Sequence, residues 1–170
     1  AVFHQCRREG RVAQERAAAA MHLTTEQGFP LWVAYSAILH GWALAHQGQA
    51  KEGIEQMYQG LRAFHATAVE SNRSYFLALL AEAYRTTGEP HAGLTVLTEA
   101  LTHVNTTGER WYEPELYRLQ GELLLQQNSD NQGEAKTCFQ HAIAIAQNQQ
   151  AKSLELRAAT SLARLWQQQG

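Results

Sequence analysis

Small residues return about every 40 positions along this chain, and that recurrence limits the folds open to it. Gly41 is matched by Ala81 and Gly121, Gly53 by Ala13, Gly93 and Ala135, and Gly60 by Ala20, Ala100 and Ala142. The spacing is 40 residues, stretching to 42 only across the turn at 128–132. Each small residue lies inside an apolar pattern of helical period. The segment 31–47 is apolar on that spacing, and 50–68 carries Ile54, Met57, Tyr58, Leu61, Phe64 and Ala68 as an i, i+3, i+4, i+7 stripe. A turn at Gly48-Gln49 joins the two into a helical hairpin. Glycine inside a helix costs roughly 1 kcal/mol against alanine. Gly41, Gly53, Gly60, Gly93 and Gly121 therefore require a compensating close approach of helix axes, with Leu44, Met57 and Leu61 filling the flanks.

Taken in order, residues 1–8 read as the tail of a helix, with Val2, Phe3 and Cys6 apolar. An alanine-rich helix follows from Ala13 to Gln27, its inner face Ala13, Ala17, Ala20, Met21 and Thr24, closed by Gly28. Pro30 opens the next helix, where its missing N–H costs nothing. Ser71 or Asn72 caps a helix that runs to Thr87. Pro90 starts another, with Leu94, Leu97, Ala100, Leu101 and Val104 inward, and residues 105–108 break it. The sixth helix begins at Trp111 or Tyr112 and turns Leu116, Leu119, Leu123 and Leu124 inward. Ala135, Phe139, Ala142, Ile143 and Ala146 define the seventh, and Leu154, Leu156, Ala159, Leu162 and Trp166 the last. No stretch alternates with a period of two. The expectation is an all-α chain, one repeat domain over 1–170. It comprises a partial repeat at 1–28, full hairpins at 30–68, 71–107 and 111–149, and an unpaired helix at 151–169, as a piece of a longer protein.

Composition excludes several classes of work. A formal charge of −2 without basic clusters argues against nucleic acid. No apolar run approaches the roughly 20 residues that span a bilayer. Cys6 and Cys138 lack metal-type spacing and read as reduced thiols, consistent with a cytoplasmic protein. Of the eight histidines, His40 and His46 lie on different faces of one helix and the rest are scattered without an H-x-x-x-H or E-x-x-H pair, so no metal site is expected. Glu113, Glu115 and Glu122 in one helix, with Glu82 in another, suggest paired carboxylates. Arg118, however, stands three residues after Glu115 and four before Glu122, which makes helical ion pairing the simpler reading. No catalytic residue and no cofactor are expected.

The units G41…G53…M57…G60, A81…G93…L97…A100 and G121…A135…F139…A142 resemble the tetratricopeptide (TPR) repeat, with a 40-residue period in place of the usual ~34. The longer period is similar to the repeat domain of the bacterial maltose-operon activator and its relatives. A closer likeness is carried by Gly108-Glu-Arg-Trp-Tyr-Glu-Pro-Glu-Leu-Tyr-Arg-Leu-Gln-Gly-Glu-Leu-Leu-Leu and Ala151-Lys-Ser-Leu-Glu-Leu-Arg-Ala-Ala-Thr-Ser-Leu-Ala-Arg-Leu-Trp. These resemble the C-terminal repeats of large bacterial regulators in which a nucleotide cyclase or DNA-binding domain precedes a signal-transducing ATPase module. The resemblance implies a right-handed superhelix of antiparallel hairpins and a non-enzymatic, regulatory role as the sensory or partner-docking part of such a protein.

In that fold the first helix of each hairpin lines a concave groove. Equivalent positions give Tyr35, Tyr75, Glu115 and Arg157 as one row and Trp42, Glu82, Glu122 and Arg164 as another, with Ile38, His46, Arg85 and Arg118 between. Aromatics and arginine dominate interface energies, so the groove is expected to receive a protein, a peptide or a neighbouring domain of the same chain. Trp42, Tyr35 and Tyr75 are expected to keep ring surface on one face with Arg118 and Glu122. Were Trp42 inside the core, the row would lose its anchor and a purely structural or oligomerising role would lead. A small-molecule inducer in the groove is a third alternative. At the C-terminal end, Ala159, Leu162 and Trp166 are expected to face outward where no further helix covers them, forming a surface for self-association or for another domain.

Overall fold

A computed structural model describes residues 1–169. Among them are nine α-helices: α1 (Val2–Cys6), α2 (Gly10–Glu26), α3 (Pro30–His46), α4 (Ala50–His65), α5 (Arg73–Thr87), α6 (Pro90–Thr107), α7 (Glu113–Gln127), α8 (Gln132–Asn148) and α9 (Lys152–Gln169). A 3-10 turn at Ser129–Asn131 precedes α8, and no strand occurs among the described residues. The chain is all-α, and no helix among these residues is long and apolar enough to cross a membrane. It folds as two compact units, Ala1–Ser71 and Asn72–Gly170.

Glycine recurs in the turns for a reason distinct from its place in helices. Gly28, Gly48, Gly88 and Gly108 follow α2, α3, α5 and α6 with φ of 70°, 93°, 75° and 74°. A side chain would be strained in this left-handed conformation. Elsewhere the helix limits depart from the pattern. α4 stops at His65, and Ala68, expected on its inner stripe, is exposed with φ 57°. α6 instead continues through the expected break at Asn105 to Thr107. The Thr102, Thr106 and Thr107 hydroxyls there donate to carbonyls one turn earlier.

In the first unit α3 packs against both α2 and α4, so most of its faces are covered. Helices α3 and α4 cross where Gly41 meets Gly53. A Cβ on Gly41 would lie 2.6 Å from the Gly53 carbonyl oxygen, and one on Gly53 would overlap the Gly41 oxygen. A Cβ on Gly60 would meet the Ile38 side chain at 2.7 Å. Met57, Phe64 and Ile38 fill the flanks, fully buried. The small residues thus sit at a helix crossing, as their recurrence implies.

In the second unit each helix packs on the next, and α7 also touches α5 and α9. Leu116, Leu119 and Leu123 of α7 are fully buried. Ala135 and Phe139 of α8 pack with Leu162 and Leu165 of α9, flanked by Leu125 and Ile143. The start of α5 is capped from a distance. No side chain of Ser71 or Asn72 caps it. The Asn72 N–H instead donates to both oxygens of Glu109 (2.9 and 2.8 Å), and Ser74 Oγ donates to one of them. A carboxylate at a helix N-terminus satisfies unpaired N–H groups and complements the helix dipole.

Candidate functional site: a charged pocket in the second unit

Helical spacing places Glu115, Arg118 and Glu122 on one face of α7. Arg118 is buried and grips Glu115 through two bonds, Nε to Oε2 at 2.9 Å and Nη2 to Oε1 at 2.7 Å. Its Nη1 donates to Glu122 and, at 3.3 Å, to Ser161 Oγ of α9. Ser161 in turn donates to Glu122 Oε1 at 2.9 Å, and Arg157 Nη2 of α9 donates to Glu115 Oε1 at 2.6 Å. From α5, Arg85 Nε faces Glu122 Oε2 at 3.4 Å and makes no hydrogen bond. Glu82 is buried nearby and adds to the negative field on Arg118.

Burial alone would pull the Arg118 guanidinium toward neutrality. Glu115 first, then Glu122 and Glu82, outweigh it and hold the group firmly protonated, above its ordinary value. The cluster therefore keeps its charges; the bidentate pair lies within α7, and the bonds from Ser161 and Arg157 tie α7 to α9.

Beside the network lies a half-open pocket of about 270 Å³. Arg85, Glu122, Gln126, Ser161, Arg164 and Gln168 form its polar side, and Leu125, Phe139 and Leu165 its apolar side. Arg164 is exposed and has no ion-pair partner among the described residues. Glu82, Glu115, Glu122, Arg157 and Arg164 of the two predicted rows, with Arg85 and Arg118 from between them, thus gather in one unit. Ser161 was missed. It stands four residues after Arg157 and three before Arg164, so helical spacing alone carried the signal.

The aromatic half of the rows is corrected. Trp42 and Ile38 lie in the first unit with 1% and 0% exposure, and Tyr75 in the second with 0%. Trp42 sits on α3, which is sandwiched between two helices and has no open face at that position. Tyr75 is covered by Trp111 and Tyr112 from the segment ahead of α7, with ring centroids 5.4 and 5.0 Å away. Tyr35 is half-buried beside Trp32, and His46 is exposed with its ring 5.0 Å from Trp42.

The end-face reading is corrected at Leu162, while Ala159 and Trp166 face outward as expected. α9 turns Ala158, Leu162 and Leu165 inward, and Leu162 packs on Phe139 of the preceding helix. Ala159 is exposed and Trp166 keeps 51% of its surface. The inner stripe is offset because α9 faces back onto α7 and α8, so Leu162 belongs to the core.

Compared with known proteins, the chain matches no protein-family model and has no significant match among curated proteins. The tetratricopeptide likeness rests on the motifs quoted above.

Proposed function

We propose that this chain is a non-enzymatic, tetratricopeptide-like docking scaffold, the regulatory part of a larger bacterial signalling protein. Within the second unit, the alternation of contacts supports a superhelical path. α5, α7 and α9 touch in succession, whereas α6 and α8 do not. The observation that carries docking is that Arg85 and Arg164 line an open pocket, Arg85 ion-paired to Glu122 without a hydrogen bond at Nε and Arg164 without an ion-pair partner among the described residues. Guanidinium groups with spare donors beside apolar surface suit the recognition of another protein.

For the first unit a structural role leads, because Trp42 and Ile38 are buried and offer no surface to a partner. Its docking aromatics would then be exposed ones, Phe29 and Trp32, in packing against a neighbouring domain or copy.

A photo-crosslinking residue at position 164 of the full-length protein, expressed in its own cells, tests the docking reading. The expected product joins position 164 to a separate protein. Cross-links found only to the same chain or to its copies would leave the structural role for both units.

A further inference from the structure

The pocket's charge and shape specify what kind of segment it takes. Three carboxylates, Glu82, Glu115 and Glu122, meet four arginines, Arg85, Arg118, Arg157 and Arg164, in a chain whose formal charge is −2. The excess positive charge is therefore local. It is also directed. Glu122 is the acid on the pocket wall, and it is already engaged by Arg118 and Ser161. Arg85 is ion-paired to Glu122 at 3.4 Å without a hydrogen bond at Nε, and no side-chain hydrogen bond engages its guanidinium among the described residues. Arg164, exposed on the other side, has no ion-pair partner among the described residues. Two planar guanidinium forks with unfilled donors are matched by a carboxylate.

Next to them, half-buried Leu125 and the edges of Phe139 and Leu165 offer an apolar surface. The carboxylate's neighbour is thus an apolar group. A small ligand usually buries most of its surface, roughly 70–90%. A half-open pocket of about 270 Å³ leaves its occupant continuing into solvent, as a polypeptide does. We infer that this pocket receives a segment of a partner protein carrying an acidic side chain directly beside an apolar one. This rests on the docking reading of the second unit and names the chemistry it recognises.

A displayed library of random short peptides, panned on the immobilised chain, supplies the probe, and end-blocked versions of the enriched sequences are measured by fluorescence anisotropy. Enriched peptides are expected to share Asp or Glu next to a large apolar residue and to weaken as salt is added. Arg164→Ala, at an exposed side chain without a partner, is expected to weaken binding about tenfold or more. Replacing the peptide's acid by its amide costs a similar factor in the wild type and little in Arg164→Ala. Peptides that are enriched without an acid, or that ignore Arg164→Ala, overturn this inference and leave docking standing. Phenylacetate competing as effectively as the peptides overturns it in favour of a small-molecule site. No enrichment over an unrelated protein surface overturns it together with the docking reading.

Discussion

The two units solve one packing problem in opposite ways. At the α3–α4 crossing the backbones themselves meet, Gly41 against Gly53, and the row position Trp42 is absorbed into the core. In the second unit Gly93 meets first the methyl ends of Leu123, with the Ala81 carbonyl oxygen farther off at 3.4 Å, and Gly121 meets the ring of Phe139. There the row position is Glu122, half-buried on α7 and paired with Arg118 rather than set among apolar side chains. A repeat position fixes which way a side chain points. Whether water reaches it depends on what the neighbouring helices bring. On α3, which packs against α2 and α4, an aromatic ring is buried. Where α5 and α9 bring arginines to α7, charge is retained and a pocket stays open.

The largest effect that separates the units is at Arg118. Arg118→Met leaves Glu115 and Glu122 short of their main partner and is expected to cost about 3–5 kcal/mol, read by urea denaturation. Replacing Glu115, Arg118 and Glu122 together by Leu, Met and Leu is expected to restore stability to within about 1 kcal/mol of wild type or above it. It would abolish the pocket's selectivity. A single substitution at Arg118 without loss would remove the network from the account of this unit.

Next come the glycines. Gly53→Ala forces the α3 and α4 backbones apart and is expected to lose about 1–3 kcal/mol. Gly93→Ala asks only the end of Leu123 to move, at 2.9 Å, while gaining helix propensity, so its change is expected to stay below about 1 kcal/mol. Equal losses would erase the contrast between the crossings.

A smaller effect concerns alkaline pH. Burial raises the Cys138 thiol above its ordinary value, Glu134 adding to it, and burial with Glu113 does the same for the Tyr117 hydroxyl. The folded second unit holds these groups neutral more strongly than the unfolded chain does. That stability is present below their unfolded values of 9.0 and 10.0 and is lost as pH rises through the raised folded ones. Thermal melts across this range are expected to fall, and to flatten in a protein carrying Cys138→Ser and Tyr117→Phe. Smallest is Arg73→Ala, which removes a pair with the exposed Glu99 and is expected to cost less than about 1 kcal/mol.

The helix crossings were legible because a glycine in mid-helix needs a steric reason, and Gly41, Gly53, Gly60 and Gly121 each have one. Ion pairing of Glu115, Arg118 and Glu122 was legible because helical spacing alone brings them together. What was hidden depends on contacts between distant residues. Nothing near Ser71 announces that Glu109 caps α5, since the two segments meet only after α6 has formed. The fate of Trp42 rests on how many helices surround α3, which a row of equivalent positions does not encode. On α9 both Ala159 and Ala158 fit a helical stripe with Leu162. Only docking onto Phe139 selects the second and leaves Trp166 outside.

The contrast between a core aromatic in one unit and an accessible face in the other is tested most directly by tryptophan quenching. The chain has Trp32, Trp42, Trp111 and Trp166, and replacing all but one by phenylalanine isolates each ring. The protein retaining Trp42, 1% exposed, is expected to emit at short wavelength and to resist iodide. The protein retaining Trp111, 46% exposed, is expected to be quenched readily. Quenching of Trp42 as efficient as that of Trp111 would contradict this account and return the aromatic row to the docking surface.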